Sequence, residues 1–365
     1  MNNNYRNRIC MAIILATTLW SCATSQNEEK ESAPETKTQE EKNLEGIYLT
    51  GIRTIERGDK HEGVELVEIA AELGHENAQL YLGKHYHRTP STRNPFSINN
   101  EAAYWYFMAA EQGNLDAMHG LASVYLFYDD ELSEQWLEKA ARRGHIDSMH
   151  TLGLLYSKNN NSDLATRWLL SAARSGHTES MAALGSMYYR GEPKDTDNAL
   201  LWLEKAAERG SIAAAISLAN IYGNRNSQDY HPQEAFKYIK VLAESGLPNY
   251  QYELAELYKS GIGTLPDHRA AMRWLQEASY NSQPYAQVSL MMEYYSGRIT
   301  NRDFERSYAW AAVIAHTHPD TIYYIDASRV LNNVSEILLP HRISMAQNLS
   351  KEILDEIESR SKTRK

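Results

Sequence analysis

After residue 22 the chain has no cysteine; Cys10 and Cys22 are the two it contains among 365 residues. Everything downstream is therefore without disulfides, thiol nucleophiles or thiolate metal sites. Basic residues are in deficit, with 37 Lys and Arg against 47 Asp and Glu and a net charge of −10. Phosphate backbones are bound by basic faces, so nucleic acid is not an expected partner. The apolar run Ile9–Trp20 falls well short of the ~20 residues that cross a bilayer as a helix. Catalytic signatures are missing too: there is no G-x-S-x-G elbow, phosphate-binding glycine loop, dinucleotide fingerprint or H-E-x-x-H. His85/His87 and His316/His318 form H-x-H pairs, but neither has a helical i, i+4 partner of the zinc-binding kind. The acidic run Asp129-Asp130-Glu131 suits a helix start, where carboxylates meet the positive end of the helix dipole. No metal, no cofactor and no catalytic centre are expected.

What is present begins at the N-terminus. Arg6 and Arg8 precede the apolar run, the layout of a secretory signal. The string Leu19-Trp20-Ser21-Cys22 resembles the bacterial lipobox, with Trp20 in place of the usual small residue. The resemblance implies a signal peptide over 1–21 and an acylated Cys22 at the start of the mature chain. Ala23, rather than Asp, follows the cysteine; by the same resemblance this favours the outer membrane of a Gram-negative cell, with the periplasmic or surface face left open. Residues 22–43 are rich in Glu, Ser and Thr and are expected to be a disordered tether, with a span of roughly 25 Å.

Tyrosine is abundant, 24 against five Phe, and it is periodic. The same five-residue register recurs as LGKHY (82–86), LASVY (121–125), LGLLY (152–156), LGSMY (184–188), LANIY (218–222), LAELY (254–258) and LMMEY (290–294). Steps of 31 to 39 residues separate the closing tyrosines, a period typical of stacked helix pairs. A second aromatic slot holds Trp105, Trp136, Trp168, Trp202, Tyr238, Trp274 and Trp310. Four residues later come Ala109, Ala140, Ala172, Ala206, Leu242, Ala278 and Ile314, and eight residues later Gly113, Gly144, Gly176, Gly210 and Gly246, with Ser282 and His318 in the last two units. Positions i, i+1 and i+4 lie on adjoining faces of one helix, and a terminal Gly supplies a left-handed C-cap. His75, His145 and His177 follow the capping glycines and read as structural. Each unit is a helical hairpin that buries its apolar stripe only by stacking on its neighbours.

Blocks such as 258–263 with 270–278, 199–210 and 163–176 resemble Sel1-like repeats, relatives of the tetratricopeptide repeat. The resemblance implies an all-α fold, a right-handed superhelical α-solenoid of stacked antiparallel helix pairs. The array covers 77–320 in about seven units. A degenerate first unit occupies 44–76, and residues 321–365 provide a helical cap, with the stripe Ile343, Ala346, Leu349, Ile353 and Ile357, and a charged tail. Extra loops at 87–100 and 223–232 would lie on a rim, as binding loops or as tolerated surface drift.

In the related tetratricopeptide fold the first helices line the concave face. By offset from the leucine slot, that resemblance points to Lys84, His119, His150, Tyr189, Asn220, Tyr252, Glu256 and Tyr295 as candidate residues for gripping a protein or peptide partner. Exposed aromatics among them are plausible anchors, although packing on a neighbouring unit would equally explain their character. The expected function is a membrane-anchored, non-enzymatic scaffold in cell-envelope assembly, signalling or secretion. The alternatives are an envelope enzyme or glycan-acting protein, of β-lactamase-like or peptidoglycan-related kind, and a scaffold for exopolysaccharide secretion.

Overall fold

The seven leucines that open the repeated motif, Leu82, Leu121, Leu152, Leu184, Leu218, Leu254 and Leu290, are all fully buried, and the architecture follows from what buries them. The computed structural model describes residues 39–88, 101–126, 129–191 and 193–363. These contain eighteen helices, and no strand occurs among the described residues. The fold class is all-α, built from antiparallel helix pairs stacked in chain order. The chain falls into two compact units, divided after Ser180.

In the first unit, α1 (Gln39–Glu56) pairs with α2 (Lys60–Glu72), α3 (Glu76–Arg88) with α4 (Glu101–Glu111), α5 (Leu115–Tyr125) with α6 (Asp130–Ala141), and α7 (Ile146–Lys158) with α8 (Ser162–Arg174). Each of these helices packs against the next. Helix α1 starts inside the stretch expected to be tether. Glu40 and Glu41 sit in its first turn, where the dipole favours them. Farther along, Ile47, Tyr48, Ile52 and Ile55 pack on the core of Val67, Ala70 and Leu82. Residues 1–38, including Cys22, and residues 89–100 of the first extra loop lie outside the described residues.

The division falls within α9 (Thr178–Arg190). The second unit continues with α10 (Thr196–Glu208), α11 (Ile212–Gly223), α12 (Pro232–Glu244), α13 (Pro248–Ser260), α14 (His268–Tyr280), α15 (Pro284–Ser296) and α16 (Phe304–Thr317). It ends in α17 (Ile322–Ile337) and α18 (Pro340–Thr363), both packed on α16. Ala346 and Ile353 of α18 are buried, and Ile343, Leu349 and Ile357 pack against the core that contains Trp310, Val313 and Ile314. Near the chain's end Arg360 donates to Glu277 of α14 at 3.0 Å and lies 5.0 Å above the Tyr280 ring.

Local chemistry explains the regularity. The turn glycines Gly113, Gly144, Gly176, Gly210 and Gly246 all have φ between +82° and +101°, a region that a Cβ disfavours. Ser282 takes the same role with φ +63° despite its side chain, whereas His318, at φ −134°, does not. Seven of seven small or apolar residues four places after the second aromatic are fully buried. The aromatic itself divides the repeats: Trp105, Tyr238 and Trp310 are buried, whereas Trp136, Trp168, Trp202 and Trp274 are half-buried. The residue that follows each goes deepest: Leu137, Leu169, Leu203 and Leu275 have no exposed surface. In three repeats a lysine meets the ring, with Lys139 Nζ 4.6 Å from the Trp136 ring, Lys205 4.7 Å from Trp202 and Lys237 4.9 Å from Tyr238.

Candidate partner-binding face

In four of the repeats the closing tyrosine is a packing and hydrogen-bonding residue. Tyr86 donates to Glu68 at 2.6 Å, Tyr156 to Glu134 at 2.6 Å and Tyr222 to Glu204 at 2.8 Å; Tyr294 accepts from Gln276 at 2.8 Å. Every one of these bonds ties a first helix to the second helix of the preceding pair. Burial, then the hydrogen bond to the carboxylate, pushes the Tyr156 and Tyr222 hydroxyls well above the usual phenol range. A phenol held protonated in this way is the opposite of an activated nucleophile. Tyr188 borders a shallow open depression with Lys194, Asp195, Asp197 and Gln228.

The candidate residues all lie on first helices, and most of them reach toward the next first helix. In the first unit, Lys84 pairs with Asp116 at 3.4 Å. His119 Nε2 lies 3.1 Å from the Thr151 hydroxyl, and His150 Nδ1 lies 2.9 Å from that of Ser180. Both imidazoles are half-buried. Burial, then the neighbouring imidazoles of His145 and His177, hold their pKa values below the ordinary histidine value. These side chains stitch repeats together and show only part of their surface to solvent.

The Tyr189 ring lies 3.9 Å below Lys194 Nζ, which also bonds Asp229 of the 223–232 loop at 2.9 Å. Asn220 is exposed. Tyr252 stacks on Tyr285 with centroids 6.2 Å apart, Tyr285 meets Tyr323 edge-on at 5.4 Å, and Tyr323 meets His318 at 5.9 Å. This aromatic row crosses α13, α15 and α17, and Tyr285 at its centre is 56% exposed. Tyr295 packs edge-on against Phe304 at 5.8 Å and accepts from Asn333 at 3.4 Å. Glu256 accepts from Ser289 at 3.4 Å and pairs with Lys259 at 3.5 Å. Lys259 turns chiefly to Glu293, at 2.8 Å, and Arg298 approaches the same carboxylate at 3.3 Å.

Spacing from the leucine slot points to Tyr252, Glu256 and Tyr295; Tyr285 and Tyr323, which continue the aromatic row, stand outside the offsets used. Glu293 was also legible in principle. Its slot holds Val124, Leu155 and Ile221 in other repeats, all buried and apolar, and Glu293 is equally buried with no exposed surface. Its Oε2 has no hydrogen-bond partner among the described residues. No group of three or more His, Cys, Asp or Glu is placed to hold a metal ion among the described residues. Nor is any described helix long and apolar enough to cross a membrane.

Comparison with known proteins bears on this geometry. The Sel1 repeat family model matches residues 46–75, 77–114, 115–145, 147–177, 178–211 and 248–282, more than half of the chain. The unit at 44–76, which reads as degenerate in the sequence, thus carries a recognisable repeat, whereas 212–247 and 283–320 keep the helix pairs without matching the model. No curated protein matches. Among solved structures, a Sel1 repeat protein from Oxalobacter formigenes aligns over 92% of this chain and 94% of its own, at 21% identity and a TM-score of 0.55. A protective antigen of uropathogenic Escherichia coli with an SLR fold aligns over 88% of this chain and 78% of its own, at 22% identity and a TM-score of 0.47. The chain belongs to the Sel1 repeat family, whose repeats generally build protein-interaction surfaces.

Proposed function

We propose that the chain is a lipid-anchored, non-enzymatic scaffold of the bacterial cell envelope that holds a protein or peptide partner on its first-helix face. The observation that carries this reading is the aromatic row Tyr252, Tyr285 and Tyr323, with Tyr285 largely in solvent. Rigid amphipathic rings at an exposed face lose little conformational entropy on binding and are the residue type that most often anchors interfaces. Tyr295, Glu256 and Asn220 add hydrogen-bonding edges in the same unit. The anchor rests on the lipobox-like string ending in Cys22, and the outer membrane on Ala23 after it.

Two experiments test the two halves. The mature chain, used as bait in an envelope extract, should capture a defined partner. Alanine at Tyr252 or Tyr285 should weaken that capture at least tenfold without moving the thermal unfolding midpoint by more than ~2 °C. Capture that survives both changes removes the face from consideration. Separately, Cys22→Ala should abolish incorporation of a labelled fatty acid and release the chain from the membrane fraction; unchanged labelling would refute the anchor.

A further inference from the structure

At the start of each first helix, the residue after the turn is a histidine three times in the first unit, at His75, His145 and His177, with Asn114 as the exception. In the second unit the same position holds Ser211, Leu247 and Gln283. The Nδ1 atoms of the three histidines accept the backbone N–H of Ala78, Ser148 and Ser180, each at 3.2 Å. Only an unprotonated ring nitrogen can accept. Their Nε2 atoms face carboxylates: Glu45 at 3.5 Å for His75, Asp116 at 3.1 Å for His145, and Asp147 at 3.5 Å and Glu179 at 3.4 Å for His177.

Two of these caps are met by a second imidazole. The His119 and His145 ring centroids are 5.5 Å apart, and those of His150 and His177 are 4.8 Å apart. In the second pair both Nδ1 atoms point at the hydroxyl of Ser180, at 2.9 Å from His150 and 2.8 Å from His177, and Ser180 is fully buried. With both rings charged, two N–H donors would converge on that one oxygen, and the helix cap at His177 would be lost. The charged groups facing the pairs are Asp116 and Asp147 around His119, and Asp147 and Glu179 around His150. Lys84 shares Asp116 at 3.4 Å, and Arg143 is taken up by the Gly113 carbonyl at 2.9 Å.

We propose that the pairs His119/His145 and His150/His177 form a proton-sensitive latch between successive repeats of the first unit, closed when the imidazoles are neutral and opened by mild acid. The direction follows from the burial of His119 and His150, which holds both below the ordinary value of 6.5. The unfolded or opened chain takes up these protons first, so stability is full above about pH 6.5 and is lost as the pH falls below it. The second unit has neutral residues at the corresponding caps and lacks the latch.

Hydrogen exchange on the full chain, corrected for the intrinsic pH dependence of amide exchange, reads the latch directly. Between about pH 7.5 and about pH 5, protection over 115–125 and 146–158 should fall about tenfold or more, while 248–260 and 284–296 hold theirs. H119Q/H150Q removes the second charge of each pair and should flatten the acid response. H145N/H177N should do the same while keeping the neutral-pH protection, because asparagine already serves as the cap at Asn114. Equal acid loss in both units, or an unaltered response in both double variants, would overturn the proposal.

Discussion

The hydroxyl of Tyr222 bonds Glu204 at 2.8 Å from a ring that is 6% exposed, while the hydroxyl of Tyr188, in the same slot of another repeat, makes no hydrogen bond among the described residues. The two positions therefore separate the two contributions of the closing tyrosine. Tyr222→Phe should lower unfolding free energy by about 1 kcal/mol, the net worth of one such bond. Tyr188→Phe should stay within about 0.5 kcal/mol of the parent, and chemical denaturation of the three proteins checks both. Gly185 is a stricter case. A Cβ there would lie 2.7 Å from Leu203 Cγ and 2.9 Å from the Ala199 carbonyl oxygen. Gly185→Leu should cost about 1–3 kcal/mol through overpacking, seen as a lowered melting temperature. The burial of Leu184 beside it was legible, because the leucine recurs at a fixed spacing. The partner of the tyrosine was not, because Glu68, Glu134, Glu204 and Gln276 lie on a different helix, and the offset between them is 18 residues in three cases and 22 in one.

Among elements, α18 packs on α16 beside α17, the position a cap would take. It buries Ala346 and Ile353 beside the core that α16 and α17 build with Trp310, Ile314, Ala327 and Val330. Ile353→Ala should cost about 2–4 kcal/mol, with the loss appearing as early exchange in α16 and α18 before other helices; uniform exchange would count against a cap. The amphipathic run of α18 announced itself by period. Helix α1 did not, because its first residues are Gln, Glu and Lys, whose polarity suits a tether and the first turn of a helix equally well. The second-helix aromatics mislead for a related reason. Their size marks all seven as core in a sequence, which holds for Trp105, Tyr238 and Trp310, whereas Trp136 and Trp202 each leave a face for a lysine and the leucine beside them takes the interior.

For the molecule as a whole, repeat logic means that each pair draws its stability from itself and from its nearest neighbours. What the sequence makes legible at this scale is the set of properties shared by all copies. What it hides is what a single copy does differently, because a rule derived by averaging over repeats discards it. Glu293 is such a departure, a carboxylate in an apolar slot, held by Lys259 from the preceding repeat. Lys259→Ala combined with Arg298→Ala should cost about 3 kcal/mol by stranding a buried charge, whereas Glu293→Leu, which restores the ordinary slot, should change stability by no more than about 1 kcal/mol. Equal losses in the two variants would mean the pair is dispensable to the packing. The consequence reaches beyond stability. Repeat genes grow, shrink and recombine by exchanging whole copies, and copies that obey the common rule are interchangeable. The repeat carrying Lys259 and the one carrying Glu293 are less so, since either placed beside an ordinary neighbour would lose the 2.8 Å pair and keep only the longer contacts within its own repeat, Lys259 to Glu256 and Arg298 to Glu293. That pair gives two adjacent copies a preferred order.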